Sequence, residues 1–123
     1  MELSAKELRI GNWIERINSN DRWIKTRINL TYLSLIVEFP EDYRPIKISE
    51  QWLKDFGFEI LLKEDEIVLY RLNSNDVNIH PVGGFTYGNR GTPLCKIQYL
   101  HQLQNLYFAL TGKELIIKEK TIT

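Results

Sequence analysis

Residues 80–96 hold the densest collection of groups that could do chemistry. Four of the seven glycines (Gly83, Gly84, Gly88 and Gly91) fall within nine residues, interleaved with Phe85, Tyr87, Asn89 and Arg90. His80 precedes them and Lys96 follows. Glycine lets a backbone approach a ligand closely and turn its amides toward an anion. Aromatic rings can stack on a base, and arginine grips phosphate bidentately. His80, Phe85, Tyr87, Asn89, Arg90 and Lys96 are therefore the candidate ligand-binding set, for a phosphorylated small molecule of nucleotide type. The competing reading is a surface loop whose glycines only ease a crossing, since their order matches no named phosphate motif.

Catalysis and metal binding find less support. His80 and Cys95 are one conceivable nucleophile and base, but no flanking signature accompanies them. Two histidines and one cysteine make no ligand cluster, and neither HExxH nor paired CxxC occurs. Glu64, Asp65 and Glu66 sit together where a hairpin tip is expected, which is normally a solvated turn. The expectation is a non-enzymatic protein with no catalytic residues, no metal and no cofactor.

A second candidate surface is the first hairpin. Arg9, Arg16, Arg22, Lys25 and Arg27 make it basic, with Trp13 and Trp23 interleaved. That composition suits single-stranded nucleic acid, through stacking and phosphate contacts. Both tryptophans also fit core positions of a small barrel-like sheet, and Glu15 and Asp21 dilute the patch.

The elements that must carry these groups follow from the spacing. At 123 residues a single domain spanning 1–123 is expected, large enough for its own core. Sixteen basic and sixteen acidic residues cancel, so net charge gives no general attraction to polyanions. One cysteine permits no internal disulfide, no secretion signal is seen, and no apolar run approaches membrane-helix length. The cytoplasm is the expected location, the host's if the chain is phage-encoded, with no membrane partner.

Runs 8–17 and 22–28 flank Asn18-Ser19-Asn20-Asp21 and read as a hairpin. Thr31–Phe39 alternates and reads as a strand, broken by Pro40 to Pro45. Ser49 predicts the N-cap of a short helix, about 49–56, with Trp52, Leu53 and Phe56 facing inward and Gly57 ending it. Phe58–Leu62 and Ile67–Leu72 predict a second hairpin, and Val77–His80 another strand. A second Asn-Ser-Asn-Asp at 73–76 repeats the first, which the small alphabet of turns explains without duplication. Residues 81–93 read as irregular, and Leu115–Lys118 as a last strand. The sum is an α+β chain with a mainly antiparallel sheet.

The longer helix, about 97–111, is the odd element. From Ile97 to Gly112 there is no Asp, Glu, Lys or Arg, although the chain is 26% charged. Little of it should face solvent, so it is expected to be largely buried. Tyr99, Leu103, Leu106 and Leu110 form the expected core stripe, with Leu100 and Tyr107 beside it. Ile97, His101, Gln104, Asn105 and Phe108 form a neutral opposite side. His101, Gln104, Asn105 and Phe108 either satisfy a covering loop or form a partner interface, with Phe108 as anchor.

LRIGNW near the start, ISEQWLKDFGFE, and YLHQLQNLYFALTGKEL near the end resemble, in order and spacing, a family of small uncharacterised proteins. The family is encoded by bacteriophages and mobile elements of gut anaerobic bacteria. The three blocks cover about a third of the chain. The resemblance implies a phage or mobile-element setting and supplies no reaction. Three functions are compatible with these features. One is a non-catalytic binding protein that interferes with a host process, as an anti-defence factor would, by sequestering a nucleotide-like ligand or masking a host protein. The others are an oligomeric structural or adaptor protein built on the neutral helix face, and a single-stranded nucleic-acid accessory factor.

Overall fold

A computed structural model describes residues 3, 5–65, 67–80, 84–90 and 92–118, with the backbone alone at His80. Its contacts fall into two compact units: residues up to Lys47 with Tyr99–Leu106, and Ile48–Gln98 with the residues from Tyr107 onward. Both sheets are antiparallel, and with three α-helices among the described residues the fold is α+β.

In the first unit β1 (Trp13–Ile17) pairs with β2 (Trp23–Arg27) on one side and β3 (Tyr43–Pro45) on the other. The Asn18 side chain closes the β1–β2 turn, accepting from the amides of Asn20 (2.8 Å) and Arg22 (3.0 Å). The stretch expected as a strand at Thr31–Phe39 is instead helix α1 (Leu30–Glu38). Its alternation is real, but Tyr32, Leu33 and Ile36 also share one helical face. Two further contributions decide the outcome. Asn29 caps the helix, its side chain accepting from the Tyr32 amide at 2.9 Å. Ile36 then joins the core of Leu3, Leu8, Ile14, Ile28 and Tyr43, with Tyr32, Leu33 and Leu35 packed against it.

The second unit opens with α2 (Glu50–Asp55), capped by the Ser49 hydroxyl as its sequence predicts. Trp52, Leu53 and Phe56 are buried, and Gly57 leaves the helix with φ +95°, a conformation that favours glycine. A meander follows: β4 (Glu59–Glu64), β5 (Ile67–Leu72), β6 (Asn75–His80), β7 (Gly84–Asn89) and β8 (Thr92–Ile97), each paired with the next. Val68, Tyr70, Val77 and Tyr87 line its covered face. The two Asn-Ser-Asn-Asp segments turn differently. Leu72 pairs with Asn75, so the second turns on Asn73 and Ser74 alone, whereas the first needs residues 18–22.

Two expectations fail in this unit. Residues 84–89 and 92–93 of the stretch expected to be irregular belong to a strand pair, which β8 continues to Ile97. Gly88 is there for space, since a Cβ on it would meet the Thr92 carbonyl oxygen at 2.6 Å. Leu115–Lys118 is not a strand. Its Leu115 is buried, but the Lys118 amide donates to Asp55 at the end of α2, not to a sheet edge.

Helix α3 (Leu100–Thr111) gives its first turns to the first unit and its remainder to the second. Ile97 belongs to β8, and the buried α3 positions are Leu100, His101, Leu103, Gln104 and Tyr107. Leu110 is 47% exposed, so the expected core stripe is rotated toward Leu100 and Tyr107.

Candidate nucleic-acid interface

Alternation along a three-stranded sheet sorts side chains onto two faces, because successive residues point to opposite sides. The covered face takes Ile14, Thr26 and Tyr43, all buried, together with Arg16, whose guanidinium lies 6.0 Å from the Tyr32 ring centroid. The other face receives Trp13, Glu15 and Ile17 from β1, Trp23, Lys25 and Arg27 from β2, and Arg44 from β3.

The register sets these side chains in rows. Trp13 lies opposite Arg27, Glu15 sits between Lys25 and Arg44, and Ile17 lies opposite Trp23. Lys25, Arg27 and Arg44 are exposed, and the two tryptophans are half-buried. The Arg44 guanidinium covers the Trp23 ring at 4.2 Å, and its Nε donates to Glu15 Oε1 at 3.0 Å. The tryptophans therefore do not fill a barrel interior. They belong to the outer face, and the core beneath is aliphatic and tyrosine-rich.

The platform is held from one edge by the uncharged helix. The Trp13 amide donates to Gln104 Oε1 at 2.8 Å, and Gln104 Nε2 donates to the Gly11 carbonyl at 3.0 Å. Asn105 Oδ1 accepts from Arg9 and from Asn12, while its Nδ2 donates to the Glu7 carbonyl. Residues 7–13 are thus fastened to His101–Asn105 side by side chain, without a single strand pairing. Of the basic hairpin residues, Arg9 serves this clamp, Arg16 the covered face, Arg22 the exposed turn, and only Lys25 and Arg27 the open face.

His101 sits in the same place, fully buried. Neither ring nitrogen has a hydrogen-bond partner; Glu7 Oε2 stands 3.6 Å from Nε2, and the Tyr99 ring stacks at 5.9 Å. Burial pushes its pKa below the usual histidine value, and the Glu7 carboxylate opposes that shift. Of the residues set aside as a partner interface, His101 and Gln104 are enclosed by their own chain, Asn105 is half-buried, and Phe108 is 39% exposed.

The candidate ligand set at 80–96 does not converge. Tyr87 is fully buried and its hydroxyl donates to Asn75 Oδ1 at 3.0 Å; burial also drives its pKa upward. Asn89 Nδ2 donates to the same oxygen at 3.3 Å. Phe85 shares their face of the sheet, but Lys96 pairs with Thr86 and lies on the other. Arg90 is exposed at the β7–β8 turn, its amide donating to Ser74 O. Gly83, Gly91 and the His80 side chain lie outside the described residues.

Arg44 is the site residue that sequence reasoning missed. Period two places Trp23, Lys25 and Arg27 on one face, but a turn of Asn18–Asp21 alone would pair Ile17 with Arg22 and send Trp13 to the other; Arg22 joining the turn brings Trp13 to their face. Nothing local says that Tyr43–Pro45 forms a strand beside β1. Among the described residues no group of three or more His, Cys, Asp or Glu could hold a metal ion. Among the same residues no helix is long and apolar enough to cross a membrane.

Fold and surface together define an α+β chain with an aromatic and cationic sheet face. No family model, curated protein or solved structure matches it.

Proposed function

We propose that this chain is a non-catalytic binding protein that takes single-stranded nucleic acid on the open face of β1–β3. One observation carries the reading: Trp13 and Trp23 share that face with Lys25, Arg27 and Arg44. Every base has a π-face, so tryptophan on an open sheet stacks bases with little regard to sequence. Cations beside the rings meet the phosphates between successive bases. Three strands spaced at about 4.8 Å make a platform for about two to three nucleotides. Because the chain is neutral overall, the attraction is local, and duplex, which offers no free bases, is the poorer ligand.

This reading displaces the phosphorylated small molecule at residues 80–96, because Tyr87 and Asn89 spend their polar groups on Asn75. The phage or mobile-element setting, and interference with a host process, belong to the proposal through the three sequence blocks.

Fluorescence anisotropy with a labelled oligothymidylate of about twelve nucleotides tests it. Binding that weakens as salt rises, with duplex of equal length bound less well, is the expected result. Absent binding at low salt, or equal affinity for duplex, rejects it.

A further inference from the structure

The centre of the open face is an acid. Glu15 lies on the middle strand with Lys25 across from it on β2 and Arg44 across from it on β3. Its carboxylate accepts from Arg44 Nε at 3.0 Å, and that guanidinium covers the Trp23 ring. Glu15 is 23% exposed and Arg44 46%, so solvent and ligand both reach the pair.

We infer that Glu15 is an internal counter-anion: it occupies the place of a backbone phosphate on the platform and is displaced from Arg44 when single-stranded nucleic acid binds. The inference rests on the nucleic-acid reading of this face. Carboxylate and phosphate compete for the same guanidinium donors, and phosphate takes them bidentately with more charge. Without ligand, Glu15 keeps Arg44 parked over Trp23 and covers the ring that a base would use. With ligand, the same arginine moves to phosphate and the ring becomes free for stacking. The arrangement sets a threshold, since a lone mononucleotide offers one phosphate group and one base against an intact ion pair. A strand offers several of each.

Glu15→Gln separates charge from shape, because the amide oxygen can still accept from Arg44. Anisotropy titrations with the labelled oligothymidylate are run on wild type, Glu15→Gln, Arg44→Ala and the double variant. Circular dichroism and melting confirm that each is folded. Glu15→Gln is expected to bind about three- to tenfold more tightly at low salt. Its log–log salt slope should stay close to that of wild type, because Arg44 meets phosphate in both complexes. Arg44→Ala should bind more weakly, and the Glu15→Gln gain should shrink in the Arg44→Ala background.

If wild type binds and Glu15→Gln binds no better, the counter-anion role is overturned while the nucleic-acid reading stands. Binding by Glu15→Gln alone would mean that the carboxylate blocks the face and is never displaced, which overturns the counter-anion role together with the proposed function. If neither binds, both readings fall.

Discussion

Gln104 Oε1 accepts the Trp13 amide at 2.8 Å while its Nε2 donates to the carbonyl of Gly11, two residues earlier. One side-chain amide thus supplies an acceptor and a donor in the manner of a neighbouring strand, at the point where β1 begins. The pairing explains why a helix with no charges carries glutamine at a fully buried position: an amide satisfies backbone at far lower desolvation cost than an ion. Gln104→Leu fills similar volume but strands both backbone groups. Denaturant unfolding should show a loss of about 2–4 kcal/mol, from two buried groups left unsatisfied. A loss below about 0.5 kcal/mol would show that the backbone groups find other partners.

The two tryptophans make separable contributions to binding. Trp23→Ala removes the ring under Arg44, and Trp13→Ala removes the ring nearest the clamp. Each should weaken oligothymidylate binding by about 1–3 kcal/mol, the range for loss of one stacked base. Arg90→Ala and Lys96→Ala, both in the second unit, should leave it unchanged. Binding that falls with Arg90 or Lys96 but not with either tryptophan would return the site to β7–β8.

His101 gives the first unit an acid-sensitive contact. Its pKa is lowered by burial, so the fold favours neutral imidazole over the unfolded chain. The stability this confers is fully present above the unfolded pKa of about 6.5, and declines as pH falls through it toward the folded value. Glu7 softens the loss, because it attracts the imidazolium once formed. The melting temperature of wild type should fall between about pH 7 and pH 5 by more than that of His101→Phe, which keeps a ring against Tyr99. Parallel curves over that interval would exclude His101 as the titrating group.

Legibility from sequence follows how local each determinant is. The Ser49–Gly57 helix is readable because cap, apolar face and glycine stop all lie within nine residues. Thr31–Phe39 is not, because its apolar residues satisfy period two and a helical face together. Burial of Ile36 against Leu3, Leu8 and Ile14 breaks the tie, and that contact is invisible in the segment itself. The glycines at 84–88 look like loop residues because a tight strand crossing and a turn both select against Cβ; only the Thr92 carbonyl beside Gly88 tells them apart. On the platform, Trp13 shares a face with Trp23 only because Arg22 lengthens the turn to five residues, whereas Trp23, Lys25 and Arg27 are readable from alternation. Arg44 is not, since its position depends on β3 pairing with β1 across 26 intervening residues between Ile17 and Arg44.

The last prediction concerns the free edge of the meander. All six residues of β4 are exposed, among them Ile60, Leu61 and Leu62, an arrangement that invites edge-to-edge pairing. The charges invite it too: in an antiparallel pair centred on Leu61, Glu59 would face Lys63 of the other copy. The bulge defeats this. Ile60 pairs with Tyr70 and Leu62 with Leu69, so Leu61 is an extra residue and the side chains beyond it change face. Glu59 then lies on one face of the sheet and Lys63 on the other, and the complementary pairs cannot form together. Removing Leu61 keeps every β4–β5 partner and restores regular alternation, so the edge becomes a straight row of unpaired amides and carbonyls. Light scattering should show concentration-dependent association of the deletion variant well beyond that of wild type, with little change in melting temperature because Leu61 is 54% exposed. If the two proteins scatter alike, the bulge serves the geometry of β4 and not the protection of its edge.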